Sequence, residues 1–107
     1  MNAKEFIKQH GWAAAREAVR QSLNRGEEKP HELTVAITVG GRRVYSHRQS
    51  AKFTSLQELY EMLCYRSLVM DFGGLERARQ YSTDPYKAPE VREALTIAVR
   101  EVEAVGI

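Results

Sequence analysis

Six side chains between positions 42 and 52 carry most of the chemistry in this sequence: Arg42, Arg43, Tyr45, His47, Arg48 and Lys52. Guanidinium and ammonium groups pair with carboxylates or phosphates, and a tyrosine ring among them adds a flat surface. A protein partner would use Arg and Tyr as interface anchors. A single-stranded nucleic acid would use the cations for phosphates and the ring for a base. A structural role competes with both, because charges on an edge strand guard against aggregation, although that defence needs no tyrosine. No acid lies between Glu32 and Glu58, so the stretch is basic without interruption.

The rest of the chain offers little to catalysis. His10, His31 and His47 are far apart in sequence, and none has a second His or Cys at ligand spacing. Cys64 falls within an apolar helical stretch, which predicts a buried thiol, whereas a nucleophile needs an exposed electropositive site. There is no nucleophile elbow, phosphate loop or paired-histidine zinc motif. Glu27-Glu28 and the Glu101/Glu103 pair read as surface charges before acid/base pairs. The expectation is a protein that is not an enzyme and holds no cofactor or metal.

The elements that must position the basic stretch follow from periodicity. Asn2 and Glu5 have capping-box spacing, and Phe6, Ile7 and His10 then recur with helical period. Gly11 interrupts, and Trp12, Ala15, Val19 and Leu23 resume the stripe, so two short helices meet at Gly11 or one helix bends there. Asn24-Arg25-Gly26 reads as a stop, and Glu27 to His31 as a polar loop. Leu33, Val35, Ile37 and Val39 then alternate with polar or small residues, predicting a hairpin over 33–48.

Gly40-Gly41 is a two-residue turn signal. That turn sets Val39 opposite Arg42, Ile37 opposite Val44, Ala36 opposite Tyr45 and Thr34 opposite His47. Leu33, Val35, Ile37, Val39 and Val44 would then face the core. Thr34, Thr38, Arg43, Tyr45 and His47 would face water.

Helices are predicted over about 55–72, 75–82 and 89–105. Thr54 and Ser55 cap the first, Gly73-Gly74 ends it, and Pro89 suits the opening turn of the last. Apolar residues around much of 56–72 suggest a central helix. Trp12, Tyr81 and Tyr86 read as core or corner residues, and Tyr86, in a turn between Pro85 and Lys87, is the most open of the three to solvent. Helix, hairpin, then helices is an α+β order. A lone hairpin is marginally stable in water, so its apolar face must pack on helices or its edge must pair with another chain.

The chain of 107 residues is in the range of one domain spanning 1–107, and 43% hydrophobic with 28% charged residues supports a real core. Cys64 is the only cysteine, so no disulfide closes within the chain, which fits a reducing compartment. Met1 to Phe6 lacks a signal-peptide apolar region, and no apolar run approaches membrane-spanning length. A cytoplasmic protein with no membrane partner is expected. Charge is uneven: residues 1–57 hold ten basic and five acidic side chains, and residues 58–107 hold six and nine. A basic half attracts polyanions or acidic protein surfaces.

One phrase recurs. Gly11-Trp12-Ala13-Ala14-Ala15-Arg16 and Gly74-Leu75-Glu76-Arg77-Ala78-Arg79 both read glycine, large apolar, any two, alanine, arginine. The glycine turns the chain, the bulky residue plugs the corner, and the alanine lets helices approach. Lys4-Glu5-Phe6-Ile7 leading to His10-Gly11-Trp12, together with residues 68–78 (Leu68-Val69-Met70-Asp71-Phe72-Gly73-Gly74-Leu75-Glu76-Arg77-Ala78), resembles short accessory proteins of lambda-like phages and prophages. That resemblance covers the first helical unit and residues 68–83, not the hairpin. It implies a phage or prophage setting and no catalytic residues. The expectation is a non-enzymatic interaction protein that binds a host or phage protein, or a second copy as a homodimer. The alternative is a nucleic-acid-binding module using the basic hairpin around residues 42–53.

Overall fold

A computed structural model describes residues 1–25 and 32–106. The described residues form five helices and one three-stranded antiparallel sheet, an α+β architecture. They divide into two compact units, 1–63 and 64–107, with the boundary inside a continuous helix. The expected polar loop from Glu27 to His31 lies outside the described residues.

The first unit opens with α1 (Ala3–His10) and α2 (Trp12–Leu23). Asn2 caps α1, its side-chain oxygen accepting from the Glu5 amide at 2.8 Å, and its amide group reaches the Glu5 carboxylate at 3.2 Å. Phe6 and Ile7 are buried from α1, and Ala15, Ala18 and Val19 from α2. Each large apolar side chain buried in this way contributes about 1.5–3 kcal/mol before entropy is counted.

Two chain corners share one geometry. Gly11 has φ +91° and ψ 165°, and Gly74 has φ +107° and ψ 179°. That backbone region is essentially closed to residues with a Cβ. Each glycine carbonyl accepts from the alanine four residues on, Ala15 at 3.2 Å and Ala78 at 2.9 Å. Both alanines are fully buried. The recurring phrase is therefore a corner motif. The chain is two helices meeting at Gly11 rather than one bent helix.

The hairpin differs from its expected register. Strands β1 (Thr34–Ile37) and β2 (Arg43–Ser46) pair Thr34 with Ser46, Val35 with Tyr45, Ala36 with Val44 and Ile37 with Arg43. The loop holds three residues, Val39, Gly40 and Gly41. The Gly41 amide donates to the Thr38 carbonyl at 2.9 Å, and the Thr38 amide donates to the Arg42 carbonyl at 2.9 Å. This is a turn followed by a left-handed residue, Gly41 at φ +82°. One extra loop residue moves every β2 side chain to the other face.

On β1 the expected inward set holds for Leu33 and Val35, both fully buried, while Ile37 is half-buried. On β2 the assignment inverts. Tyr45 turns inward beside Val35, and Val44 turns away and is 40% exposed. Val39, expected in the core, sits in the loop and is fully exposed.

A third strand, β3 (Thr54–Ser55), pairs with the other edge of β1, giving the order β2-β1-β3. The hairpin is thus not alone, and only the β2 edge is outermost on its side. Ser55 then caps α3 (Leu56–Asp71), accepting from the Glu58 amide at 3.3 Å. Leu56, Leu59, Met62 and Val69 are buried along α3, but Tyr60, Cys64 and Met70 are exposed. The expected buried thiol is a correction. Cys64 lies two positions beyond buried Met62, about 200° around the helix at 3.6 residues per turn.

In the second unit α3 ends at a paired cap, Gly74 donating to Val69 and Gly73 to Met70, each at 3.0 Å. Helices α4 (Leu75–Ser82) and α5 (Pro89–Glu103) follow and pack together. Ala78, Leu95, Ala98 and Val102 are fully buried, Arg79 pairs with Glu103, and Phe72 meets Tyr81 edge-on at 4.7 Å. Trp12 and Tyr81 are half-buried, and Tyr86 is 95% exposed. No helix among the described residues is long and apolar enough to cross a membrane.

Two stability tests follow from these placements. Gly11→Ala and Gly74→Ala should each cost about 1–3 kcal/mol, because alanine must enter a glycine-only backbone region. Gly40→Ala, in open space and without a positive φ, should stay within about 0.5 kcal/mol. Urea unfolding of the three variants decides this, and equal losses at all three sites would contradict the corner reading. The Thr54 hydroxyl is fully buried and has no hydrogen-bond partner among the described residues. Thr54→Val should therefore leave the melting temperature unchanged or raise it, since an unpaired polar group is removed. A clear fall would mean that the hydroxyl is bonded.

Candidate functional site

The inverted register decides where the six sequence-derived site residues go. Tyr45 is half-buried, and its hydroxyl donates to the Ala18 carbonyl of α2 at 2.9 Å. It ties β2 to α2 instead of standing in water beside His47. The Arg25 guanidinium lies over the Tyr45 ring, 5.0 Å from its centroid. One face of the ring is thereby covered by a cation.

Arg42, Arg43 and Tyr45 line an open cleft of about 390 Å³ together with Gln21, Arg25 and Gly41. Gln21 and Arg25 come from the end of α2 and the residues after it. None of these lining residues is acidic. The Glu17 carboxylate of α2 is bonded by Arg20 at 2.6 and 3.1 Å and by Gln21 at 3.0 Å. The Arg20 bond chiefly, then the Gln21 bond, holds its carboxyl down at about 2, and the charge of Arg43 adds the least. Arg25, Arg42 and Arg43 thus line one cleft, and Glu17 on α2 is held by Arg20 and Gln21.

The other residues separate. Lys52 lines a second, more apolar groove of about 650 Å³ with Phe6, His10, Ala36, Val39, Val44 and Phe53. His47 and Arg48 are exposed beyond the end of β2 and line neither depression. Arg48 serves the hairpin through its backbone. Its carbonyl is 3.0 Å from the buried Thr34 hydroxyl, which also reaches the Ser46 carbonyl at 2.9 Å. The six residues form no single surface.

Between the two depressions runs the outer edge of β2. The Thr38–Arg42 bond fixes the ladder phase, so Val44 and Ser46 direct their amides to β1 and Arg43 and Tyr45 direct theirs outward. Among the described residues no strand pairs with that outer edge. It presents Arg43 and Tyr45 toward the cationic cleft and Val44 toward the apolar groove. Sequence reasoning missed Gln21, Arg25, Phe6 and Val44 as surface-forming residues. For Arg25, the cation closing the predicted stop after α2 was the available signal.

Burial pushes the Tyr45 phenol above its ordinary value, and the charges of Arg43 and Arg25 pull the other way. A raised folded value means that the neutral phenol stabilises the fold below about pH 10, and that this is lost as pH rises through the folded value. Wild type should therefore lose stability more steeply above about pH 10 than Tyr45→Phe does. Chemical unfolding across that range measures it, and parallel curves would place the phenol in water.

Comparison with family models, with curated proteins and with solved structures returns no match.

Proposed function

We propose that this chain is a non-enzymatic interaction protein that takes an extended segment of a protein partner onto the free edge of β2. One observation carries the reading: a strand edge that no described strand pairs with lies between a cationic cleft on one face and an apolar groove on the other. Main-chain hydrogen bonds to such an edge supply affinity, and depressions for alternate side chains supply selectivity. The nucleic-acid alternative asks Tyr45 to stack on a base. Its hydroxyl is tied to Ala18 and its ring carries Arg25, which weighs against that use. A phage or prophage setting and a cytoplasmic site of action belong to this proposal, supported by the sequence resemblance and the single cysteine. Self-pairing of the chain through the same edge is the competing occupancy, opposed by the like charges of Arg42 and Arg43.

Amide hydrogen exchange tests the proposal directly. In the isolated protein the Arg43 and Tyr45 amides should exchange fast and the Val44 amide slowly. On binding a partner captured from host lysate, the Arg43 and Tyr45 amides should become protected. A partner that binds without slowing them uses another surface, and protection that rises with protein concentration alone identifies self-pairing.

A further inference from the structure

The edge of β2 has chemically different sides, and this constrains what can lie against it. Residues opposite one another on adjacent strands share a face. A segment added to β2 therefore directs its residues opposite Arg43 and Tyr45 toward the cleft of Arg25, Arg42 and Arg43. Its residue opposite Val44 points toward the groove of Ala36, Val39, Val44 and Phe53. Resting on the reading of β2 as a docking edge, we infer that the segment it selects alternates acidic and apolar residues.

Charge complementarity carries the first half. Arg42 and Arg43 line the cleft with no acidic lining residue among those described, and the Glu17 carboxylate is bonded to Arg20 and Gln21. An incoming carboxylate or side-chain phosphate accepts the forked hydrogen bonds that arginine offers. Tyr45 holds the cleft in shape, fixed at Ala18 and lying beneath Arg25. Apolar exposure carries the second half. Val39 is fully exposed and Val44 is 40% exposed beside the groove, so an apolar side chain seated there removes both from water. Lys52 at this groove extends the preference for an anionic segment to its margin.

The test uses the full chain and short fluorescent peptides read by anisotropy. One peptide alternates valine and glutamate, and its isomer carries the same residues as a valine block followed by a glutamate block. The alternating peptide should bind about ten-fold tighter, the sum expected of a few cross-strand charge pairs and one apolar seat. Arg42→Ala with Arg43→Ala should remove that preference, as should Val44→Ser. N-methylation of the alternating peptide on its strand-pairing side should abolish binding. Phosphoserine in place of glutamate should bind at least as well, which separates phosphate from carboxylate as the anion. Equal binding of the two isomers, or equally effective competition by an oligothymidine of the same charge, would overturn the inference. Were a lysate partner to protect the Arg43 and Tyr45 amides while the isomers bind alike, the docking edge would stand and the alternation would fall.

Discussion

The interaction on which the working surface depends is the bond pair that closes the hairpin loop. Thr38 accepts from the Gly41 amide and donates to the Arg42 carbonyl, and Gly41 completes the turn at φ +82°. A residue with a Cβ is disfavoured at that φ by about 1–2 kcal/mol. The glycine thereby admits a three-residue loop, and the loop sets the parity of β2. Everything beyond it follows from parity. Tyr45 turns to α2, Val44 turns to the groove, and the outward amides become those of Arg43 and Tyr45.

That parity also explains how a polar aromatic residue comes to stabilise a basic patch. Were Tyr45 on the water side, Arg25 and Arg43 would approach each other with only solvent between them. Instead the ring lies under Arg25, and the hydroxyl satisfies a carbonyl of α2. The cation over the ring gains roughly 0.5–1 kcal/mol at such an exposed site, offsetting part of the repulsion among the guanidiniums. Glu17 contributes from the side, although its bonds to Arg20 and Gln21 absorb most of its charge. Among the described residues that line the cleft, Arg25, Arg42 and Arg43 are cationic and none is acidic.

Much of the helical framework was legible because each signal there has a single geometric solution. Asn2 with Glu5, Pro89 at the start of α5 and the stop at Gly73-Gly74 each name one backbone arrangement, while Gly11 allowed either a corner or a bend. The hairpin was legible as a hairpin and not in its register. Gly40-Gly41 supports either a two-residue or a three-residue loop, and the alternation on β1 suits both. Strand β3 was hidden because its two residues also carry the cap of α3. Cys64 was misplaced because apolar residues surround α3, so counting them hides which are buried. The candidate surface was half legible. Arg42, Arg43 and Tyr45 were found, while Arg25 joins them only through the fold of α2 onto the sheet.

The same edge that invites a partner also resists its own copy. Pairing two β2 edges antiparallel about Val44 would place each Arg43 against the other chain's Tyr45, inside a cleft already lined by Arg25 and Arg42. The second copy would bring three further guanidiniums, its own Arg25, Arg42 and Arg43, toward like charges that destabilise adjacent strands. The screening length is about 10 Å at 0.1 M salt, so charges brought closer than that still repel, and higher ionic strength relaxes the repulsion. An acidic strand meets the opposite balance, since each carboxylate relieves the repulsion that the cations exert on one another. Edge protection by positive charge and selection of a negative partner are therefore one property of β2. The cations that keep this edge from pairing with itself choose what it does pair with.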